Sequence, residues 1–338
     1  MGIVTVSKTS YHMNDKLIAK WKNIKDGKLS KIDEDRAYVT DGRERSGKSL
    51  FTIQQISYID PTILEDEEDG VILPHIPRGN AKTWEENSEW KREAIKRFEN
   101  GTLLPRITFN SKETLKAIRK NKSTINHTRG ILFDEAFRGM SSKGVLSKEN
   151  KLLVQALMEM GQSNLVLWIV SPSFFLLELY PAMLRTNALF HVEKSKKNSK
   201  RLVKIFNYKK KALLYQIGLR KGWGYPLKTQ EKVNFYNIYP GGDDFEWRYR
   251  LKKQLSLKDS SNDDAKEQHK WKIERDLLIK YLYSEVKSLR KLSDILKTNG
   301  IRISAQQLGD LIKKIDENIE KFGYEIEESE EIDENEGV

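Results

Sequence analysis

The sequence predicts an α/β fold, a mainly parallel sheet covered by helices on both faces, with a helical module at the C-terminal end. Three observations carry this. A short apolar strand, "RAYVT" (36–40), runs straight into the glycine loop "DGRERSGKS", and the helix "GKSLFTIQQISYI" follows at once. Later, "GILFDEAF" (130–137) reads as a buried strand ending in two acids. Strands then keep alternating with helices through "NLVLWIV" and "ALFHV", the order expected of a parallel sheet with crossover helices.

The elements follow in order. Residues 1–34 are expected to be an N-terminal helical segment, because Leu17, Ile18, Trp21 and Ile24 fall on one side of a helix over 13–25. Residues 35–258 form the main domain. Its first helix offers Leu50, Ile53, Ile56 and Tyr58 as an apolar stripe, and residues 60–105 form an irregular, charged insertion with one helix in "TWEENSEWKREAIKRFEN". "RITFN" (106–110) is a strand, and Ser111 is the expected cap of the helix "KETLKAIRK". A helix is expected from Lys148 to Met160 and another over "FFLLELYPAMLR". "DSSNDD" marks residues 259–265 as a linker by composition, residues 266–322 are helical, and 323–338 form an acidic tail.

Charge is unevenly placed. Of the net +11, the stretch from Asp316 to Val338 contributes about −10, which leaves about +21 on the rest of the chain. So basic a body points to a polyanionic partner, nucleic acid above all, with a solubilising surface as the plainer alternative. The absence of cysteine excludes disulfides and cysteine-ligated zinc and fits a reducing, cytoplasmic location. The most apolar stretch, residues 165–184, is interrupted by Pro172, Glu178 and Pro181, so no integral membrane segment is expected.

Gly42, Arg43, Glu44, Arg45, Ser46, Gly47, Lys48 and Ser49 spell G-x-x-x-x-G-K-S, and Leu50 continues into the helix. Glycines let successive N–H groups turn inward, and the positive end of the following helix completes an anion cradle. Lys48 is placed to reach the β- and γ-phosphates of ATP, and the Ser49 hydroxyl to ligate Mg2+. Arg43, Glu44 and Arg45 are solvated loop charges, or one arginine touches the γ-phosphate or a neighbouring subunit. About 85 residues on, Asp134 supplies the metal shell and Glu135 is placed to activate water, although an acid pair at a strand end can also cap a helix. Ser171, ending the next strand, is either a γ-phosphate sensor or a helix cap. Arg185 is a candidate arginine finger acting on a neighbour's site, with Arg138 as its rival and a surface salt bridge as the alternative.

Together, "GRERSGKS", "ILFDEAF", "LMEMGQSN", "LVLWIVSPS" and "LRTNALFHV" resemble the FtsK/HerA branch of P-loop ATPases, including zonula occludens toxin-like and phage morphogenesis members. The resemblance covers residues 35–192. In that branch an arginine commonly stands where this chain has Met160-Gly161-Gln162, and a glutamine where it has Ser171. The resemblance implies a homo-oligomeric ring, often a hexamer, that pumps DNA through its centre. Terminase-type packaging motors are the next candidates, but the acid cluster of their nuclease domain is missing after residue 192.

Two regions are candidate DNA contacts. Residues 194–221 hold eleven lysines and arginines and no acid, interleaved with Phe206, Tyr208 and Tyr215. A hairpin there would offer Lys209, Lys210 and Lys211 to phosphates. "SLRKLSDILKTNGIRISAQQLGDLIKKI" (288–315) reads as a helix-turn-helix with Arg302, Gln306 and Gln307 at the exposed start of its second helix. A helical bundle mediating assembly is the alternative there.

Overall fold

Residues 2–13, expected to belong to an N-terminal helical segment, instead form an antiparallel hairpin of β1 (Gly2–Val6) and β2 (Thr9–Met13). Val4, Val6, Tyr11 and Met13 are buried at alternate positions, the period of a half-buried strand rather than of a helix. The predicted amphipathic helix follows as α1 (Asp15–Lys22), capped by Asn14, whose side chain accepts from the Lys16 N–H at 3.0 Å. A single turn, α2 (Lys28–Lys31), leads to β3 (Arg36–Gly42) and α3 (Lys48–Ile59). The computed structural model describes residues 2–76, 88–135, 154–155, 157–194, 201–222, 224–229, 231–299 and 303–322.

Within residues 60–105 a hairpin of β4 (Glu67–Glu68) and β5 (Val71–Ile72) precedes α4 (Ser88–Glu99). Next come β6 (Ile107–Thr108), α5 (Ser111–Lys120), β7 (Gly130–Phe133), β8 (Val166–Val170) and β9 (Ala188–Lys194). The cap of α5 is Asn110 rather than Ser111: its side chain accepts from the Glu113 N–H at 2.8 Å while Glu113 accepts from the Phe109 N–H at 3.3 Å. The helix expected over "FFLLELYPAMLR" is instead a 3-10 turn, Phe174–Leu176, and a π-helical turn, Tyr180–Arg185. Pro181 has no N–H to give to a regular helix there.

β6, β7, β8, β3 and β9 lie side by side in that order, all parallel, so β8 separates the strand feeding the glycine loop from the strand feeding the two acids. Residues 195–200 of the basic stretch lie outside the described residues. The rest of the stretch supplies β10 (Arg201–Asn207), which pairs antiparallel with β9, and then α6 (Tyr208–Arg220), and β11 (Lys232–Phe235) closes that edge.

Both faces of the sheet are buried, which is why its strands read as continuous apolar runs. On one face Trp168, Phe190 and Tyr38 pack with Trp21 of α1 and with α3. On the other, Leu167, Ile169 and Leu189 pack against α5, α6 and the 3-10 turn. The predicted stripe understates α3, which is buried almost all round, polar residues included. Each of those has a partner: Trp21 Nε1 donates to Gln55 at 2.9 Å, Gln54 donates to the carbonyls of Tyr236 and Ile238, and Thr52 bonds Thr40.

Residues 60–105 are anchored by buried charge. Arg106 pairs with Asp60 and, at 3.3 Å, with Glu67, which also accepts from Arg129 at 2.8 Å. Asp66 accepts from Arg97 and Arg248, each at 3.0 Å. Removing one member would strand a buried charge.

The remaining helices are α7 (Gly242–Val286), α8 (Leu289–Thr298) and α9 (Ala305–Phe322). The linker expected at 259–265 lies inside α7 and has a helical backbone. The chain divides into two compact units, Met1–Lys258 and Asp259–Val338. In the second, Ile279, Leu292, Leu296, Leu308 and Ile312 form a small core. The acidic tail at 323–338 lies outside the described residues.

Candidate nucleotide site

The glycine loop needs its glycines. Gly42 has φ 140°, and a Cβ there would fall 2.2 Å from the Val192 carbonyl oxygen. Gly47 has φ 96° and lies against the Arg201 guanidinium and the Phe235 ring, which a Cβ would approach to 2.9 and 3.1 Å. Gly47 also begins α3 without a side-chain cap, so the first N–H groups of a buried helix are left to another acceptor. Ser46 Oγ is buried in the loop with no hydrogen-bond partner. Lys48 crosses the loop, its Nζ donating to the carbonyls of Gly42 at 2.9 Å and Arg43 at 3.0 Å. Burial lowers the Lys48 pKa below the ordinary lysine value, opposed by the charges of Glu135, Asp134 and Asp41. Arg43, Glu44 and Arg45 are exposed, and Arg45 takes a left-handed backbone at φ 56°.

Because β3, β7 and β8 are parallel, their C-terminal ends bring Gly42, Asp134 and Ser171 to the same end of the sheet. Ser49 Oγ donates to Asp134 Oδ1 at 3.0 Å. Asp134 is fully buried, and its backbone N–H donates to the Thr108 carbonyl at 2.9 Å. The Ser171 N–H bonds the Thr40 carbonyl and its hydroxyl donates to the Ser173 carbonyl, both at 2.9 Å. Ser173, not Ser171, caps the 3-10 turn that follows.

Sequence reasoning missed the helix that closes this corner. Phe245, Tyr249 and Lys253 recur every fourth residue on α7, and so lie on one face of it. Tyr249 is almost wholly buried and its hydroxyl donates to Asp134 Oδ2. Burial, reinforced by the Asp134 charge, pushes the Tyr249 pKa far up, so it stays a donor. Lys253 Nζ lies 2.7 Å from Glu135 Oε1 and 3.2 Å from Asp134 Oδ2. Burial alone would lower the Lys253 pKa; the two carboxylates outweigh it and raise the value. Glu135 itself has φ 56°, uncommon for a residue with a side chain.

Behind the loop, Asp41 accepts from Tyr225, from His191 Nδ1 at 2.8 Å and from the Phe174 N–H at 2.8 Å, which fixes the residue just before Gly42. Arg201, beside Gly47, bonds Asn237 at 2.7 Å. Neither partnership carries a local sequence signal.

Several expected residues fall elsewhere. Arg185 pairs with Asp35 and donates to the Leu157 carbonyl at 2.8 Å. Asp35 precedes β3 and Arg185 precedes β9, so this pair sits at the end of the sheet opposite the glycine loop, and within this chain the salt-bridge alternative describes it. Lys211 is buried, donating to the Ala182 and Met183 carbonyls, and has no surface to offer DNA. Lys209 and Lys210 are exposed in the first turn of α6. Gln307 is turned back onto Ser304, accepting from its N–H and hydroxyl at 3.0 Å each, while the Gln307 N–H donates to Ser304 Oγ: a capping box. Gln306 is exposed. Arg302 and Arg138 lie outside the described residues.

An uncapped helix start, an orphan hydroxyl, a lysine across the loop and a serine–carboxylate pair together fit a nucleotide triphosphate with a divalent cation. The sheet and its loop fit an α/β P-loop NTPase fold. No protein-family model and no curated protein matches the sequence. Among solved structures, the N-terminal domain of zonular occludens toxin from Neisseria meningitidis is similar, at 13% identity over 52% of this chain and 84% of that one, with a TM-score of 0.26. A KaiC-like protein from Pyrococcus horikoshii aligns at 14% identity over 62% and 88%, TM-score 0.30. The ATPase domain of a third protein aligns at 10% identity over 57% and 90%, TM-score 0.28. At such scores the likeness is partial, and the fold assignment rests on strand order, loop and acids. Among the described residues no helix is long and apolar enough to cross a membrane.

Proposed function

We propose that this chain is a Mg2+-dependent ATPase that couples hydrolysis to movement of, or along, DNA as a homo-oligomer. The observation that carries the reading is the 3.0 Å bond between Ser49 and Asp134, which joins the glycine loop to the acid pair. In this reading the backbone of Gly42–Ser49 and the Lys48 ammonium hold the phosphates. Ser49 and Asp134 would hold the cation, which when bound neutralises charge on the phosphate oxygens. Glu135 takes the proton of the attacking water. Ser171, at the end of the intervening strand, would turn its hydroxyl from the Ser173 carbonyl to bond the terminal phosphate. DNA as the partner is supported by the basic balance of the body, by exposed Lys209 and Lys210, and by Gln306 at the start of α9.

The second reading is a nucleotide-gated assembly or morphogenesis factor. It is favoured by the burial of Lys211 and the capping role of Gln307, which remove two expected DNA contacts. Steady-state hydrolysis with and without DNA, at several salt concentrations, separates the two. A DNA motor accelerates several-fold on DNA, and the gain fades with salt. Hydrolysis indifferent to DNA at every salt concentration favours the assembly factor.

A further inference from the structure

We propose that Lys253 is a positioning residue of the hydrolytic site, holding the Glu135 carboxylate in place from outside the sheet. The proposal rests on the reading of Glu135 as the group that takes the water's proton.

Its basis is geometric. Glu135 lies one residue beyond the buried Asp134, on a left-handed backbone at φ 56°, and its side chain is 35% exposed. Among the described residues, no neighbour along the chain bonds that side chain. Lys253 does, through the 2.7 Å contact to Oε1, and the same ammonium reaches Asp134 Oδ2 at 3.2 Å. Two bonds from one cation fix the two carboxylates relative to each other.

The lysine is itself delivered rigidly. Phe245 is fully buried, and its ring stacks on Tyr249 with centroids 6.2 Å apart. Tyr249 anchors to Asp134, and Lys253 stands one turn further along the same face. Neighbouring Lys252 points elsewhere: it is buried and donates to the Leu104 carbonyl at 3.0 Å. One lysine of the adjacent pair therefore ties the helix to the domain, while the other meets the two acids. Lys253 makes no bond to the glycine loop, whose own lysine is held by Gly42 and Arg43. Asp134, which Lys253 also touches, keeps its bonds from Ser49 and Tyr249, so loss of Lys253 should disturb the placement of Glu135 and leave nucleotide affinity alone.

Turnover and nucleotide affinity of the full chain, measured for Lys253→Met, Lys253→Arg, Glu135→Gln and the Glu135→Gln/Lys253→Met double variant, test this. Misplacing a reacting group by about 1 Å costs up to about 100-fold, so Lys253→Met should lower kcat by about 10- to 100-fold. Its affinity for ATP should stay at the parental value, which also reports an intact fold. Lys253→Arg should recover much of the rate. In the Glu135→Gln background the Lys253→Met change should add no further loss, because the group it positions is gone. Parental turnover in Lys253→Met, additive loss in the double variant, or parallel loss of affinity and rate without rescue by arginine each overturns the proposal. Parental turnover in Glu135→Gln would instead overturn the hydrolytic reading beneath it.

Discussion

The Arg201 guanidinium lies so close to Gly47 that a Cβ on the glycine would sit 2.9 Å from Nη1, with the Phe235 ring at 3.1 Å. The second glycine of the loop is required by its backbone angle of φ 96°, while the Arg201 guanidinium, the far end of a flexible side chain, can shift to admit a Cβ. Gly47→Ala should cost about 1–3 kcal/mol of stability. On the proposed function it should also weaken ATP binding at least tenfold. Chemical denaturation and titration calorimetry on one preparation read both.

Lys211 gives a pH signature. Burial pushes its pKa down to about 8, while an unfolded lysine titrates near 10.4. Between those values the unfolded chain holds the extra proton, so the folded state gains relative stability as pH rises. Over about pH 7.5 to 10, the parent should gain about 1–3 kcal/mol relative to Lys211→Met. Equal slopes for the two proteins would refute the assignment.

Asp60 acts in the opposite range. Burial would raise its pKa, but Arg106, His127, Thr62 and the Gly130 N–H outweigh that and hold it well below the usual carboxylate range. Its stabilisation is therefore complete above the unfolded value near 3.9 and is lost as pH falls toward the folded one. Asp60→Asn should cost about 3–5 kcal/mol at neutral pH by leaving Arg106 buried beside a neutral group. The gap between variant and parent should narrow below about pH 4. Urea melts at pH 7 and pH 3 provide the comparison.

What the sequence made legible was local. The glycine loop and the Asp134–Glu135 pair announce themselves because strand, loop and helix follow one another along the chain. The parallel sheet then brings Ser49 to Asp134 across 85 residues. Tyr249 and Lys253 were illegible, since 115 and 118 residues separate them from the acids they touch and only the docking of α7 brings them there. Arg185 pairs with Asp35 for a reason strand direction could have supplied. A residue just before a parallel strand lies at the opposite end of the sheet from a loop that follows one. Lys211 counted as surface charge because composition does not show which lysine of a run faces inward. Asp, Ser and Asn at 259–264 suggest a linker, and the boundary between the two compact units falls there although the backbone stays helical.

The most direct test of the account is phosphate release by Glu135→Gln beside the parent, with ATP affinity measured on the same samples. The account predicts a fall in turnover of about 100- to 10,000-fold with affinity retained. Turnover at the parental rate, with ATP still bound, would contradict it.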